Sequence, residues 1–171
     1  MADSREIYPS WKGEPLPYMP FVYEHPVYWQ KIEEETKGSG DIERSTCLFI
    51  DSEKVREHTE EEMIKVENIK GKLFLVGAED DSFWEAGKYI RRMDQRLKER
   101  PHTCEYVPLV YEHGTHFVLP ESMLRMALPV GLKFVLRFIF RAAKEYPKEC
   151  EATRKDIDKK LSAALKEWRA E

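Results

Sequence analysis

With 171 residues, 42% of them hydrophobic and 35% charged, the chain has the composition of a soluble globular protein of about one domain's size. A formal net charge of −4 removes the electrostatic case for nucleic acid or an anionic membrane as partner. The three cysteines, Cys47, Cys104 and Cys150, are odd in number and far apart, which argues against a disulfide framework or a cysteine zinc site and for a reducing, cytoplasmic setting. Residues 1–5 lead into polar and aromatic residues, so no signal peptide is expected. No run reaches the roughly 18 apolar residues of a membrane span.

Residues 8–29 are dense in proline and aromatic residues. Proline removes amide donors and fixes φ, so this stretch is predicted to be an extended arm across a hydrophobic surface, packing there or lining a pocket. Residues 28–37 fit a short charged helix ended by Gly38-Ser-Gly40. Residues 46–50 are an apolar patch too short to classify. Residues 59–66 read as a helix, with Thr59 and Glu62 at capping-box spacing.

Residues 72–76, Lys-Leu-Phe-Leu-Val, are a short apolar run closed by Gly77 and followed by Asp80 and Asp81, which predicts a buried strand ending in an acidic loop. Ser82 and Glu85 repeat the capping-box spacing, and the apolar period from Phe83 to Leu97 predicts a helix to about Glu99, stopped by Pro101. Asp81 is thereby expected beside a helix N-terminus, whose partial positive charge favours a carboxylate. Residues 103–109 predict a second strand, and the loop after it carries His113 and His116. In parallel α/β sheets chemistry sits beyond the carboxyl ends of the strands, so both loops are expected at one sheet edge. Helices are predicted over 120–126, 132–143 and 148–170. The first stops near Pro129 and Gly131. The second shows Lys133, Arg137 and Arg141 as a solvated stripe. The third buries Cys150, Ile157, Leu161, Leu165 and Trp168 on one side.

An acid after one strand and a histidine after the next is the second half of a Ser…Asp…His order. The chain resembles the C-terminal part of an α/β-hydrolase, and more closely the acyl-CoA thioesterase and bile acid-CoA:amino acid N-acyltransferase family. The matching residues are Trp11-Lys-Gly-Glu-Pro-Leu-Pro-Tyr-Met-Pro20, Ile69-Lys-Gly-Lys72, Asp80-Asp81-x-x-Trp84 and Gly114-Thr-His-Phe-x-x-Pro120. The resemblance covers nearly the whole chain, more weakly over residues 33–62.

The resemblance implies an α/β fold in one domain over residues 1–171: the C-terminal half of the hydrolase sheet, with flanking helices. Within it, residues 1–45 form the arm and its loop, 58–128 the acid and histidine loops, and 129–171 the C-terminal helices. It implies thioester hydrolysis or acyl transfer on acyl-CoA, with His116 as base and Asp81 as its acid. Asp80 and His113 are the rivals, because Thr115 departs from the family's turn and counting from Gly77 reaches Asp80. The family's nucleophile lies in an upstream G-x-S-x-G turn that this sequence does not contain. Lys37-Gly-Ser-Gly-Asp41 follows a charged run and reads as a loop. The expectation is therefore a fragment that carries the acid and histidine of a triad and is inactive alone, or a non-catalytic interaction module. No cofactor is expected. No metal site is expected from Glu112, His113, His116, Asp80 and Asp81, because H-x-x-H on a loop is a weak signal. The expected partner is a nucleophile-bearing half or a second copy, joined at the open edge of the first strand. Neither acyl length nor the choice between hydrolysis and transfer is legible.

Overall fold

The computed structural model describes residues 10–22 and 26–169. The reading of residues 1–5, the arm at Tyr8, Pro9 and 23–25, and the last residue of the predicted final helix, Ala170, lie outside the described residues. Within the arm, β1 (Ser10–Trp11) and β2 (Glu14–Pro15) pair antiparallel instead of running on as extended chain. Lys12 and Gly13 both have positive φ, 52° and 86°, the two-residue turn whose twist suits a hairpin. The arm does lie on an apolar surface farther along. Phe21 packs edge-on against Phe49 at 5.1 Å, and the Val22 N–H donates to Ser52 Oγ at 2.9 Å.

Helix α1 (Val27–Thr36) ends before Gly38 and Gly40, both at positive φ. Helix α2 (Thr46–Val55) takes in the apolar patch at 46–50 and continues through charged residues, burying Cys47 and Ser52. The predicted helix at 59–66 is absent. Half of its capping box forms, the Thr59 N–H donating to Glu62 Oε2 at 2.8 Å. The chain nevertheless makes only turns, followed by one 3₁₀ turn at Val66–Asn68. So short a segment cannot repay helix nucleation without an apolar face to bury, and Ile64 is 75% exposed. Arg96 instead pins this segment, its guanidinium meeting Glu67 at 2.6 Å and Glu60 at 2.5 Å. That pairing holds the Glu67 carboxyl down at about 2.

Strands β3 (Lys72–Ala78) and β4 (Glu105–Tyr111) pair in parallel, with Lys72 opposite Glu105 and Ala78 opposite Tyr111. Both run two residues past their predicted ends. Helix α3 (Ala86–Glu99) covers one face, where Leu75, Ile90, Leu97, Cys104 and Val66 form a core. Its start is corrected from Phe83 to Ala86. The second predicted capping box does not form, because Ser82 Oγ is buried without a hydrogen-bond partner and Glu85 pairs with Lys88. Gly77 faces α3 with no room for a side chain. A Cβ there would stand 2.7 Å from Ile90 Cδ1 and 2.9 Å from Ala86 Cβ. Overpacking of this kind costs about 1–3 kcal/mol, so Gly77→Ala is expected to lower the unfolding free energy by that amount, read as a lower denaturant midpoint with no change in m-value. An unchanged midpoint would mean that α3 is free to shift.

Four helices follow: α4 (Glu121–Ala127), α5 (Leu132–Ile139), α6 (Arg141–Glu145) and α7 (Pro147–Trp168). The predicted helix at 132–143 is in fact two, broken where Phe140 turns extended to bury its ring among Leu124, Leu132, Leu136 and Ala143. Phe134 and Phe138 stay exposed, at 77% and 71%. Helix α7 buries Cys150, Thr153, Arg154 and Ile157, but Leu165 and Trp168 are exposed, contrary to the predicted packing side. Among the described residues β4 is the one strand partner of β3. The result is an α/β structure with a small parallel sheet. Among the described residues no helix is long and apolar enough to cross a membrane.

Candidate functional site

Parallel pairing in register puts the carboxyl ends of β3 and β4 side by side. The Glu79 N–H donates to the Tyr111 carbonyl at 2.9 Å, so the two chains leave the sheet together. The acid loop and the histidine loop therefore meet at one edge, and each acid finds a histidine.

Asp81 is buried, and its carboxylate lies 3.0 and 3.1 Å from His116 Nδ1. The same carboxylate accepts the Phe83 N–H at 2.9 Å, a local turn that replaces the helix N-terminus expected beside it. A carboxylate only accepts, so Nδ1 carries the proton and Nε2 is left as the basic nitrogen. Phe83 stacks on the imidazole with centroids 4.4 Å apart, and Trp84 meets it edge-on at 4.6 Å. Ser45, just before α2, braces these two aromatics. Its N–H donates to the Ser82 carbonyl at 3.1 Å and its hydroxyl to the Phe83 carbonyl at 3.2 Å.

Asp80 makes the other pair, Oδ2 lying 3.2 Å from His113 Nδ1, but its surroundings differ. Its Oδ1 accepts the Gly114 N–H at 3.0 Å and the Thr115 N–H at 2.8 Å. His113 stacks flat on Tyr146 at 3.8 Å, and its carbonyl accepts the Thr153 hydroxyl at 2.6 Å. Asp80 thus ties down the histidine turn. That turn is strained: Thr115 is 1% exposed and holds φ of 65°, a region a β-branched residue rarely adopts. Gly114 is required beside it, since a Cβ would fall 2.4 Å from Val118 Cγ1 and 3.0 Å from Ala78 Cβ.

The two pairs differ in access. His116 and Asp81 line a cavity of about 480 Å³ together with Trp84, Phe117, Met123 and Ile157, whereas His113 and Asp80 do not line it. Among the described residues no hydroxyl or thiol is hydrogen-bonded to His116 Nε2. The cysteines are free and buried, and burial pushes the Cys150 thiol up to about 11, the opposite of an activated nucleophile. Among the described residues no three His, Cys, Asp or Glu side chains gather to hold a metal ion. The arrangement can therefore move a proton at Nε2, for a nucleophile brought to it.

Sequence reasoning names both acids and both histidines but misses Phe83, Tyr146 and Ser45. No local spacing marks them as site residues: Phe83 reads only as the first apolar contact of the predicted helix, and Ser45 only as the residue before an unclassified patch. Residues 17–123 match the family described as BAAT / Acyl-CoA thioester hydrolase C terminal, a stretch that takes in β3, β4 and the two loops that follow them. No curated protein and no solved structure matches the chain.

Proposed function

The chain belongs to the BAAT / acyl-CoA thioester hydrolase C-terminal family, and from that premise we propose that it supplies the acid and the base of an acyl-CoA thioester hydrolase or acyltransferase. The observation that carries this reading is the Asp81–His116 contact at 3.0 Å, opening on a cavity that the rival pair does not reach. In the proposed reaction a serine-type nucleophile from a segment outside these 171 residues gives its proton to His116 Nε2 and attacks the thioester carbonyl. Asp81 keeps Nδ1–H in place and stabilises the imidazolium. His116 then returns the proton to the departing CoA thiolate. Water or an amine, activated by the same nitrogen, releases the acyl group.

In this reading the chain is the C-terminal part of a hydrolase sheet, and β3 meets the remaining strands at its other edge. The oxyanion donors come with the nucleophile turn. The isolated chain is therefore expected to release no CoA thiol above the uncatalysed rate, measured with a thiol reagent. Turnover that survives in His116→Ala would overturn the reading. Turnover lost in that variant would keep the base and place the nucleophile within this chain.

A second reading, a non-catalytic interaction module that pairs with a partner or a second copy, is favoured by the one-sided pairing of β3 and by exposed Phe134 and Phe138. Restored turnover with a nucleophile-bearing partner separates the two.

A further inference from the structure

Trp84 stands between two cavities. On one side it lines the cavity of His116 and Asp81. On the other it lines a second cavity of about 360 Å³, walled also by Met19, Phe21, Phe49, Tyr89 and Met93. We propose that this second cavity receives the apolar tail of the acyl group whose carbonyl is presented to His116; the assignment of the tail rests on the reading given under Proposed function.

Three observations carry it. The volume is that of a ligand pocket rather than a packing defect. The acidic and guanidinium groups on its wall are already paired with protein partners. Glu53 meets Lys88 at 2.7 Å and Arg92 at 3.2 Å, Glu62 meets Arg56 at 2.5 Å, and Arg96 meets Glu60 and Glu67. No unpaired carboxylate or guanidinium is left on the wall to attract a charged head group, and His58 is the one further lining side chain that can carry a positive charge, so the wall favours an uncharged chain. Finally, an unbroken aromatic track joins the cavity to the candidate base. Ring centroids step from His116 to Trp84 at 4.6 Å, to Phe49 at 5.8 Å and to Phe21 at 5.1 Å.

Trp84 is 39% exposed, so a chain can pass over its edge. Each methylene buried beyond Trp84 tightens binding about fourfold. The proline-rich arm, through Met19 and Phe21, becomes one wall of the tail site.

The test is calorimetric titration of the 171-residue chain with 1-decanol, an uncharged straight chain. Saturable one-to-one binding with a negative heat-capacity change is expected. Met63→Trp, in a turn on the cavity wall, should weaken it at least tenfold, and His116→Ala should leave it unchanged. Ile64→Trp, on the exposed side of the same wall, should weaken it likewise and stands in if the first variant fails to fold. No saturable binding by the parent chain, or equal affinity in a folded filler variant, overturns the proposal. Decanol binding that the fillers weaken, in a chain that never supports turnover, keeps the tail site and sinks the catalytic reading. Turnover without decanol binding does the reverse.

Discussion

Replacing His116 with alanine is expected to lower kcat on the order of 10⁶-fold once the chain is co-expressed with the nucleophile-bearing portion of an active family member and turnover is restored. The size follows from interdependence. Without a base at Nε2 the serine stays protonated, and the remaining machinery offers only the oxyanion hole and substrate binding, about 10³–10⁴ over water. Asp81→Asn is expected to cost about 10⁴-fold, because the amide keeps the Phe83 N–H contact but presents a donor to Nδ1 and so favours the wrong tautomer. The measurement is steady-state thiol release at saturating acyl-CoA. A His116→Ala enzyme within tenfold of its parent would remove the base from His116. Assembly of the two portions without turnover in the parent would favour the interaction-module reading.

The parts of this architecture that the sequence discloses are those set by local physics. Two apolar runs closed by polar loops give β3 and β4, and their ends err by two residues because Gly77 and Ala78 still fit the ladder under α3. The starts and stops that depend on competition are misread. Ser82 and Glu85 have the spacing of a cap, yet Asp81 draws the Phe83 N–H into a local turn and Glu85 turns to Lys88. Thr59 and Glu62 likewise have the spacing, yet Arg56 and Arg96 recruit the acids of that segment, which stays a turn. Phe140 breaks a strong helical pattern because its ring has a core to fill.

The site shows the same division. Adjacent aspartates and two histidines on facing loops are plain in the sequence, but which acid meets which histidine is not, since either pairing suits the spacing. The distinction rests on residues remote in sequence: Tyr146 stacks on His113, Thr153 holds its carbonyl, and Phe83 and Trp84 flank His116. The buried Arg154–Glu121 pair, which ties α7 to α4 at 2.8 Å, has no local sequence signal either.

The different contacts of the two acids lead to the second large effect. Asp80→Ala leaves the buried Gly114 and Thr115 amides without an acceptor, at about 1–3 kcal/mol for each unsatisfied group. The loss is partly offset because Thr115 is released from its positive φ. Unfolding free energy is therefore expected to fall by about 2–4 kcal/mol. As the turn relaxes, Nε2 moves, and a displacement of about 1 Å costs on the order of 10²-fold in kcat in the reconstituted enzyme. Asp80→Asn should behave differently, because its amide oxygen still accepts both N–H groups. Stability should then return to within about 1 kcal/mol of the parent and kcat to within about tenfold. Asp81→Asn has the opposite pattern, near-parental stability with the full tautomer penalty. Chemical denaturation and thiol release on the same variants read both quantities. If Asp80→Asn loses as much kcat as Asp81→Asn while remaining stable, Asp80 and His113 take the catalytic roles, and the tie on the histidine turn passes to other groups.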